Sequence, residues 1–391
     1  MKKILGLLLA LCLIAGCTSA FAAGIPVEQV KIGYITIGDE NEGYSANHLN
    51  GLKEAQAALG ISDDQVLCKY NVPETEDAYE AAIDLAEQGC NIIFATSFGH
   101  ESYVFQAAAE YPNIQFCHAT GTAAMSSPLN NVHNYFYAVY ESRYVSGVVA
   151  GMKLAQMIED GTITAENAKI GYVGAFPFAE VISGFTSFFL GARSQCPSVT
   201  MEVRYTNSWA DMALEKETAE ALIADGCVLI SQHADTTGAP SACEAAGVPC
   251  VGYNISMLPV APNTALTSAA GDWGAYVTYA VKCLIDGEEI DRDWCKGYAE
   301  GAVYTTELND SIVAPGTAEK VAELEEAFKA GTVKVFDTST FTVNGETLTS
   351  YTTAYGLEGI EMVSDGEFHE SSVRSAPYFD ILIDGITAVV E

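Results

Sequence analysis

The turn Asn207-Ser208-Trp209-Ala210-Asp211 puts a large indole between a short apolar strand pattern and an amphipathic helix. A strand-to-helix turn lies at the end of a sheet, away from its middle, so the ring there is better placed to meet a ligand than to fill a core. Other turns of the same kind also carry rings: Tyr44 in GDENEGYSANH, Phe98 in ATSFGHES, Phe176 and Phe178 in GAFPFAE, Trp273 in AAGDWGAY. Flat rings suit the two faces of a planar ligand, and each stacked pair contributes about 0.5–1.5 kcal/mol beyond area burial. The same loops hold short polar side chains, among them Asp39, Asn41, His48, Ser97, Asp211, Gln232, His233, Asp235 and Asn254. Such groups donate to or accept from the edge of a heteroaromatic ring. Taken singly, a ring suits a core and an Asp or Asn suits a cap or turn; Trp209 and Tyr44 are assigned to the ligand. Ser208 as N-cap with Asp211 three residues on has the spacing of a capping box, which would aim Trp209 outward.

Chemistry on the ligand is not indicated. The chain has no G-x-S-x-G elbow, Walker loop, G-x-G-x-x-G or H-E-x-x-H. His100 beside Glu101, or His233 near Asp235, is too common a pairing to define a catalytic site. His48, His100, His118, His133 and His233 keep a zinc-binding protein open as an alternative, but their spacing matches no ligand signature. No enzyme activity, metal or cofactor is expected.

The elements that position these loops occur twice. Lys31-Ile32-Gly33-Tyr34 opens one stretch and Lys169-Ile170-Gly171-Tyr172 the other. Each is followed by a helix pattern (NHLNGLKEAQAALG; ISGFTSFFLGARSQ), a strand (VLCKYNV; MEVRYTN), a second helix (DAYEAAIDLAEQGC; LEKETAEALIADGC) and an apolar strand (NIIFATS; VLISQH). Alternating strands and helices of this size are βαβ units around a parallel sheet covered on both faces. Two such sheets make two lobes, and loops beyond the carboxyl ends of their strands would line a shared cleft. The expected class is α/β, with residues 28–138 plus 258–299 as the first lobe and 139–257 plus 300–391 as the second. Three chain crossings then form a hinge, the first near 138–141, and the strand TALTS is expected to return to the first lobe. Asn344-Gly345 predicts a tight hairpin turn.

The charge excludes some partners. With 18 Lys and Arg against 51 Asp and Glu, net charge is -33 over 391 residues, which disfavours nucleic acid and charge-driven membrane binding. Lys2 and Lys3 precede a short apolar run ending Ile14-Ala15-Gly16-Cys17, the pattern of a lipoprotein leader that leaves Cys17 lipidated. Ordinary cleavage after Ala20-Phe21-Ala22 is the alternative. Residues 1–27 are therefore read as leader and tether, and the body as extracytoplasmic. The chain has eleven cysteines, and subtracting Cys12 and Cys17 leaves an odd number with no C-x-x-C; Cys243 with Cys250 and Cys283 with Cys295 are merely the nearest in sequence.

From about Val30 to the C-terminus the chain resembles the basic membrane protein family of ABC-transporter substrate-binding lipoproteins, most closely at KIGYITIGDENEGYSANHLNGL, YVSGVVAG, SWAD, VGYN and LTS. The resemblance implies a two-lobed type I periplasmic-binding fold, a purine nucleoside or nucleobase ligand, and permease and ATPase partners. It carries the family's aromatic before the first helix onto Tyr44 and its stacking aromatic onto Trp209. The family's ribose-binding carboxylate falls on Asn254 in Gly252-Tyr253-Asn254, and a family lysine falls on Gly271. Trp273 and the QHAD loop resemble a variant branch. Losing both charged groups implies a preference for a free base, or a modified purine, over a nucleoside. A monomer is expected, and a same-fold receptor for a sugar or signalling molecule is the alternative.

Overall fold

The computed structural model describes residues 24–354 and 357–389, so Cys17 and most of the leader lie outside the described residues. Strands β1 (Ile32–Ile35), β2 (Val66–Lys69), β3 (Ile92–Ala95), β4 (Gln115–Ala119) and β5 (Val132–Tyr137) alternate with helices α1 (Gly43–Leu59), α2 (Glu76–Glu87) and α3 (Glu101–Glu110). Helix α4 (Val139–Glu159) opens the second unit. There β6 (Lys169–Gly174), β7 (Thr200–Tyr205), β8 (Leu229–His233), β9 (Cys250–Tyr253) and β10 (Ala265–Gly271) alternate with α5 (Ala179–Gln195), α6 (Met212–Ala224) and α7 (Gly238–Ala246). Helix α8 (Trp273–Asp286), β11 (Asp293–Lys296), β12 (Val303–Thr305) and α9 (Thr317–Lys329) follow. The chain ends with a ribbon of β13 (Val363–Ser364) and β14 (Glu367–Phe368), then β15 (Ile386–Val389).

The first sheet runs β11-β5-β4-β3-β1-β2, every pair parallel. The second runs β12-β10-β9-β8-β6-β7-β15, with only β12 antiparallel. Strands such as β1 and β3 are buried along their whole length, as both-face coverage demands. The two lobes of the α/β class are thus present, with equivalent registers: Ile32 pairs with Ile92 in one and Ile170 with Leu229 in the other.

One expectation is corrected. Residues 265–271 do not return to the first lobe; they lie in the second sheet, between β9 and β12. An apolar strand fits either sheet by its pattern, and the free edge of β9 takes this one. The second crossing therefore comes at Gly271-Asp272, thirteen or so residues later than position 258, and α8 packs on α1. The other crossings join β5 to α4 and β11 to β12. Two of them touch: a Cβ on Gly271 would lie 2.2 Å from the Tyr137 ring. The expected hairpin is present, with Val343 bridging Glu346 and Asn344 and Gly345 at φ 53° and 81°. Among the described residues no helix is long and apolar enough to cross a membrane, and the described cysteines, Cys243 and Cys250 included, are free thiols.

Candidate functional site

Between the lobes lies a narrow, partly open slit, lined by residues that follow the carboxyl ends of the strands. The first lobe supplies Ile37 after β1, Tyr44 from the first turn of α1, Ser97 and Phe98 after β3, and Thr120 after β4. From the second lobe come Glu180 at the start of α5, Trp209 after β7, His233 and Asp235 at the end of β8, and Tyr253 at the end of β9. Thr120 sits at φ 65°, a costly conformation for a β-branched residue and one that recurs at ligand sites.

Local chemistry fixes the rings. Glu42 caps α1, accepting from Tyr44 N at 2.6 Å and Ser45 N at 2.8 Å, and the Tyr44 hydroxyl donates to Thr96 O at 2.6 Å. Tyr44 is thereby clamped at both ends. In the second lobe, Asp211 itself is the N-cap of α6, accepting from Ala213 N and Leu214 N. This corrects the capping box: Ser208 is not the cap, and Asp211 serves the helix rather than the slit, because its carboxylate already satisfies two of the helix's free N–H groups. Trp209 still lines the slit, and its backbone carbonyl accepts from Asp235 N at 2.9 Å. Phe176 and Phe178 stack on each other at 5.0 Å and flank Trp209, while Phe98 meets Phe178 across the gap at 5.8 Å. Gly43 abuts the other lobe so closely that a Cβ would lie 2.8 Å from Asp235 O.

The polar edge belongs to the second lobe. Asp235 Oδ1 accepts from Asn254 Nδ2 at 2.7 Å, and burial, then the neighbouring Glu42, Glu215 and Glu180, push its carboxyl well above the usual range. Burial also lifts Glu180 to about 7, with the Arg143 guanidinium pulling the other way. Glu180 Oε1 lies 3.3 Å from His233 Nε2; burial, then Arg143, keeps that imidazole neutral. Arg143 is fully buried on α4, 3.7 Å over the Tyr253 ring, and donates to Gln232 O at 2.7 Å.

Of the residues singled out in the sequence, Tyr44, Ser97, Phe98, Trp209, His233 and Asp235 line the slit, with Phe176 and Asn254 in direct support. Asp39 lies in a turn, accepting from Asn41. His48 and Trp273 stack on each other at 3.9 Å in the core behind Tyr44, because Trp273 opens α8 at a hinge crossing and that helix packs against α1. Ile37, Thr120, Glu180, Tyr253 and Arg143 went unread. Glu180 looks like an ordinary first-turn acid. Arg143 left one signal, a cation that falls within a buried run of small and apolar residues on α4. Among the described residues no three His, Cys, Asp or Glu side chains gather as a metal would require.

Residues 35–335 match the family described as ABC transporter substrate-binding protein PnrA-like. A purine-binding protein of Brucella abortus is 33% identical over 79% of this chain and 83% of its own. A putative ABC transporter glucose-binding protein of Haloferax volcanii is 30% identical over 85% and 81%. Among solved structures, an ABC-transporter solute-binding protein from Aeropyrum pernix aligns with TM-score 0.65 at 18% identity, over 78% of this chain and 93% of that one. Members of the family bind and deliver a substrate outside the cytoplasm for a permease and its ATPase, and do not transform it. A cleft of aromatic loops between two like-built lobes, with no catalytic constellation in it, fits that work, and the chain belongs to the PnrA-like family of ABC-transporter substrate-binding proteins.

Proposed function

We propose that the protein captures a free purine base between its lobes and presents it to an importer. The observation that carries this reading is the slit itself, walled by Tyr44 and Trp209 from opposite lobes and edged by Glu180, His233 and Asp235. Rings hold the flat faces, and the polar edge reads the pattern of donors and acceptors. A ligand bridging the lobes shifts the population to the closed form, which a permease recognises. The purine-binding relative from Brucella supports the ligand class.

Two features favour the base over the nucleoside. Asn254, where the family's ribose carboxylate falls, spends its amide on Asp235. Gly271, where a family lysine falls, has the Tyr137 ring against it, leaving no room for any side chain. Losing a charge-assisted hydrogen bond costs about 1.5–3 kcal/mol, or roughly tenfold and more in affinity. Titration calorimetry with adenosine, inosine, guanosine, adenine, hypoxanthine and xanthine tests this; nucleosides binding tighter than every base overturn the preference.

The Haloferax relative gives a second reading, a sugar held on the same aromatic platforms. Ligand released by denaturing the purified protein separates the two, since purines absorb strongly in the ultraviolet and sugars do not. Anchoring through a lipid on Cys17, and action as a monomer, complete the proposal; mass spectrometry of the membrane-extracted protein and light scattering test them.

A further inference from the structure

We propose that Glu180 selects the ligand by its edge, favouring purines with an amino group beside a ring nitrogen over purines with carbonyl oxygens there and no amino group. The inference rests on the purine reading above and refines it to a substrate class.

Among the described residues no Lys or Arg lines the slit, whereas two carboxyls do. Asp235 has one oxygen committed to Asn254. Glu180 is 15% exposed; its Oε1 lies near His233 Nε2, and its Oε2 takes no hydrogen bond from the described residues. Arg143 stands behind this carboxyl, buried among Tyr253 and Tyr172, with Nε and Nη2 unpartnered. One buried cation therefore offsets one carboxylate from the protein side, while the open side of Glu180 offers acceptors. A purine turning carbonyl oxygens toward it would set lone pair against lone pair.

An amino group beside a ring nitrogen matches a carboxyl at two points. The ionised carboxylate accepts from guanine N1–H and the 2-amino group; the protonated acid donates to adenine N1 and accepts from the 6-amino group. Burial holds Glu180 at about 7, so both forms exist at neutral pH. The groups around it are Arg143 from α4, His233 and Asp235 from the end of β8, Tyr253 from β9, Tyr137 from β5 and Tyr44 from α1. Acidification is expected to favour adenine and alkaline conditions guanine.

Titration calorimetry of the purified protein with adenine, guanine, hypoxanthine and xanthine decides the matter. The amino bases are expected to bind at least about tenfold tighter than hypoxanthine and xanthine. In Glu180→Gln the side-chain amide still pairs with adenine, so that affinity stays within about threefold, while guanine weakens about tenfold because an amide N–H now faces N1–H. A purely structural role for Glu180 would weaken both bases alike. Glu180→Met removes both points and should bring all four bases within about threefold of one another. Melting profiles accompany both variants, and the wild-type ranking alone decides if neither folds. Hypoxanthine or xanthine binding as tightly as the amino bases, or adenine and guanine weakening together in Glu180→Gln, overturns the selection by Glu180. If none of the four bases binds, the purine reading falls, and this inference with it.

Discussion

Across the slit, the first lobe presents Ile37, Tyr44, Ser97, Phe98 and Thr120, with no acid, imidazole or cation among them. The second lobe presents Glu180, His233 and Asp235 beside Trp209 and Tyr253, with Arg143 buried behind. The backbones are near copies, so the division of labour lies in the loops. A lobe that offers only faces can hold any flat ring of the right size. A lobe that offers buried carboxyls must be matched, because an unmatched polar group in a dry site costs about 1–3 kcal/mol. On the proposed function, discrimination among ligands belongs mainly to the second lobe and closure to both.

The sharpest way to break this contrast is Trp209→Ala against Tyr44→Phe. Removing the indole should weaken binding by about 2–3 kcal/mol, roughly thirty- to a hundred-and-fiftyfold, with the melting temperature nearly unchanged. Removing only the Tyr44 hydroxyl leaves the face in place and should cost less than about fivefold, since its partner is the chain's own Thr96 carbonyl. Equal losses in calorimetry would mean that the lobes do not differ as described. Next in size, Gly43→Ala would put a methyl 2.8 Å from Asp235 O and oppose closure, weakening every ligand about tenfold. Small-angle scattering should then show a larger radius of gyration with ligand than the wild type has.

Smaller effects are expected at the mouth. Phe98 and Phe178 are 40% and 42% exposed and meet across the gap, so truncating either should speed release about three- to fivefold in stopped flow and leave association unchanged. The least effect is on stability against pH. Glu180, Glu215 and Glu370 all have carboxyls raised from 4.5 to about 7 by burial, so the folded protein binds more protons than the unfolded chain. Stability must then fall as pH rises through that window. The buried His48, His100, His118, His133 and His233 are depressed instead and oppose this below about pH 6.5, where unfolded histidines charge. Between about pH 6.5 and pH 8 the carboxyls act alone, and the melting temperature should drop by a few degrees, less in Glu215→Gln. A rise would reverse the assignment of protonated acids to the second lobe.

The repeated strand–helix order was legible because each unit writes the same periodicity in its own residues, and Tyr44 and Trp209 were legible because strand-to-helix turns announce themselves. Which sheet a strand joins was not: residues 265–271 read as buried apolar strand in either lobe, and pairing with β9 is decided by a hydrogen-bonding edge that no local pattern shows. Trp273 has the same turn chemistry as Trp209, an Asp at the helix cap, yet lies under His48 because its turn is a hinge crossing. Glu180 and Tyr253 escaped for the opposite reason. One resembles a helix-start acid and the other a core strand residue, and only the approach of the lobes makes them a wall.

Beyond residue 335, where the family match stops, the chain keeps going as a compact appendix. Phe336, Phe341 and Phe368 gather around Phe379, and the buried Glu370 accepts from Tyr378 N and Phe379 N. β15 then lies beside β7 in the second sheet, while Ser375 N donates at 2.8 Å to Asp293 on β11, the outer strand of the first. The appendix is therefore tethered to both halves at once, like a chain across a door. Any swing that parts the halves along that edge has to break the Ser375–Asp293 bond or drag the appendix with it, so the appendix moves with one half or gives up its hold on the other.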